Sequence, residues 1–367
     1  DPSYAIPATS MTLPNVPFVY PNGFPLALPS KKNFKYLEVH VKKLPVIDIV
    51  HIQSNIGVGI LGYKFAKKYK LPSVQTMHGR DDVLVEKIYR FPIVTSWLAD
   101  YFHARYVPHT TKVTGSNIHR AARYAWEVMI NQAAAADWVT VPSAHFKQKF
   151  ISHGLTNNIS VISNGLSDEV VASAQRVAKK HSAAGNHIMW CGRLSPEKQP
   201  LEMIDAMALT DTTVHLDMYG SGVYEAEVRR RIHEYGLENN ISLFTAATLK
   251  IVLQEMAAHD VLGYNSYGFD NQPMVLLEAL LSQLPVILCD PDLEECIPAG
   301  SALLTRDPSS AAIADAIRQF IAAPDEADRM RAIMQRHAPD VYQTTHTKKM
   351  LALYERLISH THMNQSV

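Results

Sequence analysis

Short apolar runs of β type alternate with helical stretches along this chain, and midway the alternation starts again. Strands alternating with helices imply parallel pairing through crossover connections, so this ordering constrains the fold most. In the first half the strands read as 46–51, 73–77, 138–142 and 159–162, with helices over 31–44, 61–69, 118–135 and 143–150 and an edge strand at 17–20. A polar stretch, 180–186, has the character of a linker. Strands follow at 187–191, 214–219, 241–244, 261–264 and 285–289, and a last helix at 342–358. The length of 367 residues suits two domains. Two doubly wound parallel α/β sheets in series are expected, with ligands beyond the carboxyl ends of the strands.

The segment Trp190-Cys-Gly-Arg-Leu-Ser-Pro-Glu-Lys-Gln-Pro200 reads as a strand end, a tight turn at Gly192 and the first turn of a helix. Ser195 suits an N-cap and Pro196 a first helical position. Arg193 and Lys198 then flank a helix start that favours anions, a suitable place for a diphosphate. Solvated surface charge is the competing reading. About seventy residues on, Phe269-Asp-Asn-Gln-Pro-Met-Val-Leu-Leu-Glu-Ala279 places Asp270 in a loop and Glu278 in an apolar helix beginning after Pro273. A carboxylate in such a helix needs partners; ribose hydroxyls would serve, as would a structural ion pair.

Together these segments resemble the retaining glycosyltransferases of the GT-B fold known as glycosyltransferase family 4. The family's Gly-Arg-Leu-x-x-x-Lys run stands here at 192–198, and its two acidic residues eight positions apart are Asp270 and Glu278. Asp270 departs from the family's usual Glu by one methylene, which touches the positioning of the sugar more than the reaction class. The resemblance implies two Rossmann-like domains facing each other across a cleft. These are an acceptor domain over 1–166, a nucleotide-sugar domain over 167–341, and a final helical segment, 342–367, crossing back to the first. It also implies that Arg193 and Lys198 neutralise the leaving diphosphate, that Glu278 binds ribose, that the amides of Met274 and Val275 meet the donor, and that Gly192 belongs to the donor site. His78, after the 73–77 strand, would lie over the transferred sugar and share the catalytic role with Asp270. No metal or other cofactor is expected. Asp290-Pro-Asp292 imitates a metal-binding pair but reads as structural. The family's opening strand and glycine-rich loop have no counterpart in the Pro-rich start, and without them the first sheet would present an edge or an apolar face.

The acceptor is suggested by a basic helix. Lys31, Lys32, Lys35, Lys42 and Lys43 sit among Phe34, Tyr36 and Leu37, and a second cluster, Lys64, Lys67, Lys68 and Lys70, surrounds Phe65 and Tyr69. Such helices dock on anionic lipid, and the first domain resembles bacterial diacylglycerol glucosyltransferases and phosphatidylinositol mannosyltransferases. A solvated lysine face is the alternative. The expected reaction is hexose transfer from a nucleotide sugar, UDP-glucose first, to a hydroxyl acceptor such as diacylglycerol. A saccharide acceptor and a non-catalytic nucleotide-sugar-binding protein are the competing functions. A formal net charge of zero gives no global field towards nucleic acid. Three cysteines fit a reducing cytoplasm, with the inner membrane face as a peripheral site. The start carries neither a basic n-region nor an apolar h-region, and no apolar run is long enough to span a bilayer.

Overall fold

The computed structural model describes residues 10–16, 26–115, 118–176 and 186–365; the expected strand at 17–20 and nearly all of the 180–186 linker lie outside the described residues. The chain forms two compact units. One is built from residues up to 141, 146–161 and 351 onwards, the other from 142–145 and 162–350.

The first unit runs α1 (Lys31–Val41), β1 (Val50–Ile52), α2 (Val58–Tyr69), β2 (Ser73–Thr76), α3 (Asp81–Ile88), α4 (Pro92–Ala104), α5 (Arg120–Ala134), β3 (Trp138–Val141), α6 (Ala144–Ser152) and β4 (Ile159–Val161). The strands pair in parallel in the order β1-β2-β3-β4, with no reversal of winding among the described strands. The first strand starts at Val50 rather than at residue 46. Val50 N–H donates to Pro72 O at 2.9 Å, and Pro72 has no N–H with which to continue the ladder. Helix α1 begins where Ser30 accepts from Asn33 N at 3.1 Å, and the buried Asn33 amide ties it to Pro14 O and Leu28 O, both at 2.9 Å. The core gathers Met77, Trp126, Met129, Ile130, Val139, Val141, Phe146 and Phe150. Among the described residues β1 is a sheet edge, and an apolar cavity of about 750 Å³ lies beside it, lined by Leu13, Ala27, Leu37, Ile52, Leu61 and Phe65.

The second unit contains α7 (Asp168–Gln175), β5 (His187–Cys191), α8 (Pro200–Met207), β6 (His215–Tyr219), α9 (Glu225–Glu234), β7 (Ile241–Phe244), α10 (Leu249–Met256) and β8 (Val261–Tyr264). It continues with α11 (Met274–Ser282), β9 (Val286–Leu288), β10 (Ala302–Leu304), α12 (Ser310–Ile321) and α13 (Pro324–His337). Its six parallel strands are ordered β10-β9-β8-β5-β6-β7. Alternation along β5 feeds both faces. Met189 packs with Leu262, Leu277 and Leu280, whereas Ile188 and Trp190 pack with Met203, Leu216 and Ile313. The sheet is therefore covered on both sides, as a doubly wound fold requires. The last helix, α14 (Gln343–Gln365), begins in this unit and continues into the first.

Candidate functional site

In the second unit the chain leaves β5 for β6 and β7 on one side, then returns to β8 on the other. The winding reverses between β5 and β8, which is where such sheets leave a crevice at the strands' carboxyl ends. Residues 192–198 follow β5 and residues 265–270 follow β8, so both motif segments start at this point.

The turn after β5 is shaped by close backbone approach. A Cβ on Gly220 would sit 1.8 Å from Gly192 O, so only glycine fits there. Leu194 N–H donates to Ser221 O and Tyr224 N–H to Leu194 O, both at 2.9 Å. The expected helix start at Pro196 is corrected. Pro196–Lys198 form a single 3-10 turn, Gln199 adopts a left-handed conformation (φ 53°), and α8 begins at Pro200. Ser195 caps nothing; its hydroxyl donates to Glu197 Oε1 at 2.6 Å.

Each motif cation is held by a carboxylate. The fully buried Glu197 accepts from Arg193 Nη2 at 2.9 Å, while the arginine side chain stays 59% exposed. Lys198 Nζ donates to both oxygens of Asp270, at 2.6 and 2.7 Å, and to Tyr264 Oη at 3.2 Å. Tyr264 Oη and Ser266 Oγ in turn donate to Asp270 Oδ2 at 2.5 and 2.6 Å. Asp270 is thus a hub for Lys198, Tyr264 and Ser266 rather than an open loop carboxylate. Burial, then the Asp270 charge, pushes the Tyr264 phenol well above its ordinary value, so it stays a donor.

Glu278 arrives on α11, whose Leu276, Leu277, Ala279, Leu280 and Leu281 are buried as expected; Met274 at its start is instead exposed, and Val275 is half-buried. Burial pushes the Glu278 carboxyl up to about 7. The Cys191 thiol is pushed up to about 12 by burial and then by the Glu278 charge, with Lys198 opposing, which places both charges around the end of β5. Gln272, which the motif reading passed over, binds the 269–273 loop to the segment after β4. Its amide accepts from Asn164 N at 2.7 Å and donates to Ser163 Oγ at 2.8 Å. Asp290 caps a 3-10 turn, accepting from Asp292 N at 3.0 Å and Gly268 N at 2.7 Å, a structural role. Among the described residues no three His, Cys, Asp or Glu side chains group as a metal site.

In the first unit His78 is exposed directly beyond β2. Asp81 and Asp82 open α3. Asn55 Nδ2 donates to Asp81 at 2.8 Å, and Arg80 grips the buried Asp82 at 2.8 and 2.9 Å. The Asp81 carboxyl is raised, by burial first. Lys31, Lys32, Lys35, Lys42 and Lys43 are all exposed.

Glu197, Tyr264 and Ser266 went unnoticed in the sequence. A tyrosine closing an otherwise aliphatic strand was the one available signal. Glu197 sits in a polar tetrapeptide that gives no hint of burial.

Two successive Rossmann-like units with parallel sheets, and a cationic turn at a sheet's switch point, define a protein of the GT-B class. Family models match both units: Glycosyltransferase Family 4 over residues 2–170 and Glycosyl transferases group 1 over residues 173–337. The chain belongs to the family 4 glycosyltransferases and is a hexosyltransferase. No curated protein matches it. Among solved structures it is similar to HepE of Anabaena in complex with UDP, at 18% identity over 89% of this chain and 82% of that one, with a TM-score of 0.65. It is also similar to sucrose-phosphate synthase of Thermosynechococcus elongatus, at 17% identity over 90% and 78%, TM-score 0.66. A glycosyltransferase of Rickettsia africae follows at 16% identity over 89% and 81%, TM-score 0.61. At these identities the likeness is one of fold.

Proposed function

We propose that this enzyme transfers glucose from UDP-glucose to the hydroxyl of a membrane lipid of the diacylglycerol class, without a metal ion. The observation that carries the donor half is the pair of tethered cations at the switch point, Arg193 on Glu197 and Lys198 on Asp270. HepE, of similar fold, has been solved with UDP, with UDP and glucose, and with UDP-glucose. An ammonium has three protons, and those of Lys198 point at Asp270 and Tyr264. The donor diphosphate takes over one of them, so the lysine meets the charge that grows on the leaving oxygen. Glu278 holds the ribose hydroxyls, the amides of Met274 and Val275 line the donor, and Asp270 orients Lys198 beside the sugar; Gly192, whose own N–H donates to Tyr219 O at 3.1 Å, serves the site as the tight turn that carries Arg193. His78, exposed beyond β2, is assigned to a hydroxyl of the transferred sugar. The acceptor oxygen bonds to the anomeric carbon on the face from which the diphosphate departs, and its proton passes to the diphosphate oxygen. The exposed lysines of the α1 segment support the lipid half.

Calorimetry without added metal, with UDP-glucose and a GDP-sugar in parallel, tests the donor; UDP-glucose binding alone is expected. Lys198→Ala should lower turnover by about 100-fold or more, the scale of losing a donor aimed at developing charge. Near-normal turnover in that variant would overturn the site. Transfer to soluble saccharides but not to diacylglycerol vesicles would overturn the acceptor.

A further inference from the structure

Helix α4 of the first unit is inside out. Its inward residues are polar: Ser96 and His103 are buried, and Asp100 meets His109 at 3.4 Å. His103 bonds His109 at 2.9 Å and Gln132 at 3.0 Å, and Gln132 donates to the buried Gln75 in the middle of the sheet at 2.9 Å. This polar chain fixes which way the helix faces. The outward face is then left with Ile93, Val94, Trp97, Leu98, Tyr101 and Phe102, all exposed, with Phe91 ahead of them at 64%. No charged residue of α4 lies on that face.

Basic residues stand at both ends. Lys87 and Arg90 precede the helix, Arg90 with its guanidinium 5.5 Å from the Phe91 ring centroid, and Arg105 follows it. The Phe102 ring meets Tyr106 at 5.2 Å, and Lys64 of α2 lies 5.3 Å from Tyr106 and 5.5 Å from Phe34 of α1. The aromatic stripe therefore runs without a break into the lysine cluster of α1 and α2.

We propose that α4 is the bilayer-docking element of this enzyme, its outward face entering the interfacial layer of an anionic membrane while the flanking Lys and Arg meet the headgroups. Tryptophan and tyrosine rings favour that layer, and an uncharged face with basic ends complements it better than it complements a protein surface with charges of both signs. This deepens the lipid-acceptor reading, and rests on it only for where the acceptor lies, not for the chemistry. The lysines of α1 become the collar of the docking surface rather than its centre.

Of the four tryptophans, Trp126, Trp138 and Trp190 are buried and Trp97 is 47% exposed, so the lipid-quenchable part of the intrinsic fluorescence reports on α4. The full chain should co-sediment with phosphatidylglycerol/phosphatidylcholine vesicles. Its emission should shift to shorter wavelength and be quenched by brominated lipid. The triple variant Trp97→Ser, Leu98→Ser, Tyr101→Ser should partition about tenfold less, since interfacial binding scales with buried apolar area, while still binding UDP-glucose. Equal co-sedimentation of the two proteins, or unquenched wild-type emission on bound vesicles, would overturn the proposal. So would a wild-type dimer that ignores vesicles and that the triple variant splits into monomers, because a second copy would then cover α4. Should the triple variant not fold, the quenching of the wild-type protein decides alone. A chain that docks through α4 but binds no UDP-glucose would leave this proposal standing and remove the donor reading.

Discussion

At the residue scale, the ribose contact proposed for Glu278 would couple donor binding to pH. Its carboxyl is held at about 7 by burial, against an ordinary value of 4.5. A raised carboxyl pKa means that the fold resists ionisation: stability is fullest below 4.5 and is eroded as pH rises through 7. Ribose hydroxyls bond an ionised carboxylate more strongly than a neutral one. UDP-glucose affinity should therefore rise by up to about tenfold between pH 6 and pH 8, the most that one group titrating near 7 can supply. Calorimetry at the two pH values checks this, and Glu278→Gln should flatten the dependence. An affinity that falls or stays level in the wild-type chain would remove Glu278 from the ribose. The motif residues Arg193, Lys198, Asp270 and Glu278 were all legible in the sequence, because charged residues stand out at fixed spacing in glycine- and proline-marked turns and, for Glu278, inside an apolar helix. Their partners Glu197, Tyr264 and Ser266 were not, since their burial depends on two segments meeting at the switch point, where Tyr264 reaches Lys198 and Ser266 Oγ donates to Glu197 O.

At the element scale, the turn after β5 and the turn after β6 are pressed together, and the site depends on that contact. Gly220→Ala would drive a Cβ to 1.8 Å from Gly192 O, a clash with backbone that no side-chain rotation relieves. The expected cost is about 2–4 kcal/mol, towards the upper end for overpacking because backbone must move. Thermal unfolding gives the loss, and UDP-glucose affinity should fall with it as Arg193 and Lys198 shift. An alanine variant as stable as the parent would mean that the turns separate at little cost. Strands were the most readable elements: 187–191, 241–244 and 261–264 match β5, β7 and β8 to the residue. Helices α3 and α4 were missed, and α4 shows why. Its apolar residues mark the outward face, so the pattern that normally finds a core gives no guide to its packing.

At the scale of the whole molecule, α14 is shared. Its first eight residues belong to the second unit and the rest to the first. In the first unit Tyr354 Oη bonds His51 Nδ1 at 2.6 Å, Arg356 lies 4.2 Å from the Trp138 ring centroid, and Leu353 and Leu357 are buried. Ending the chain at Met350 removes all four from the first unit, including two buried leucines worth about 1.5–3 kcal/mol each. A drop of roughly 6–24 °C in the first unit's thermal midpoint is expected, at about 2–4 °C per kcal/mol. Calorimetry should show that transition moving away from the second unit's. An unmoved first transition would mean that the helix end adds nothing. Sequence alone determined the alternation of strands and helices, hence two parallel sheets, and the charged motifs in the turns. Both follow from local patterns: periodicity sets the element type, and glycine or proline sets the turn. Only the tertiary structure decided that β5 and β8 are neighbours, that Asp270 holds Lys198, and that α4 turns its polar side inward. Those choices rest on contacts between residues far apart in the chain, where the energy of a buried hydrogen bond or ion pair outweighs local preference.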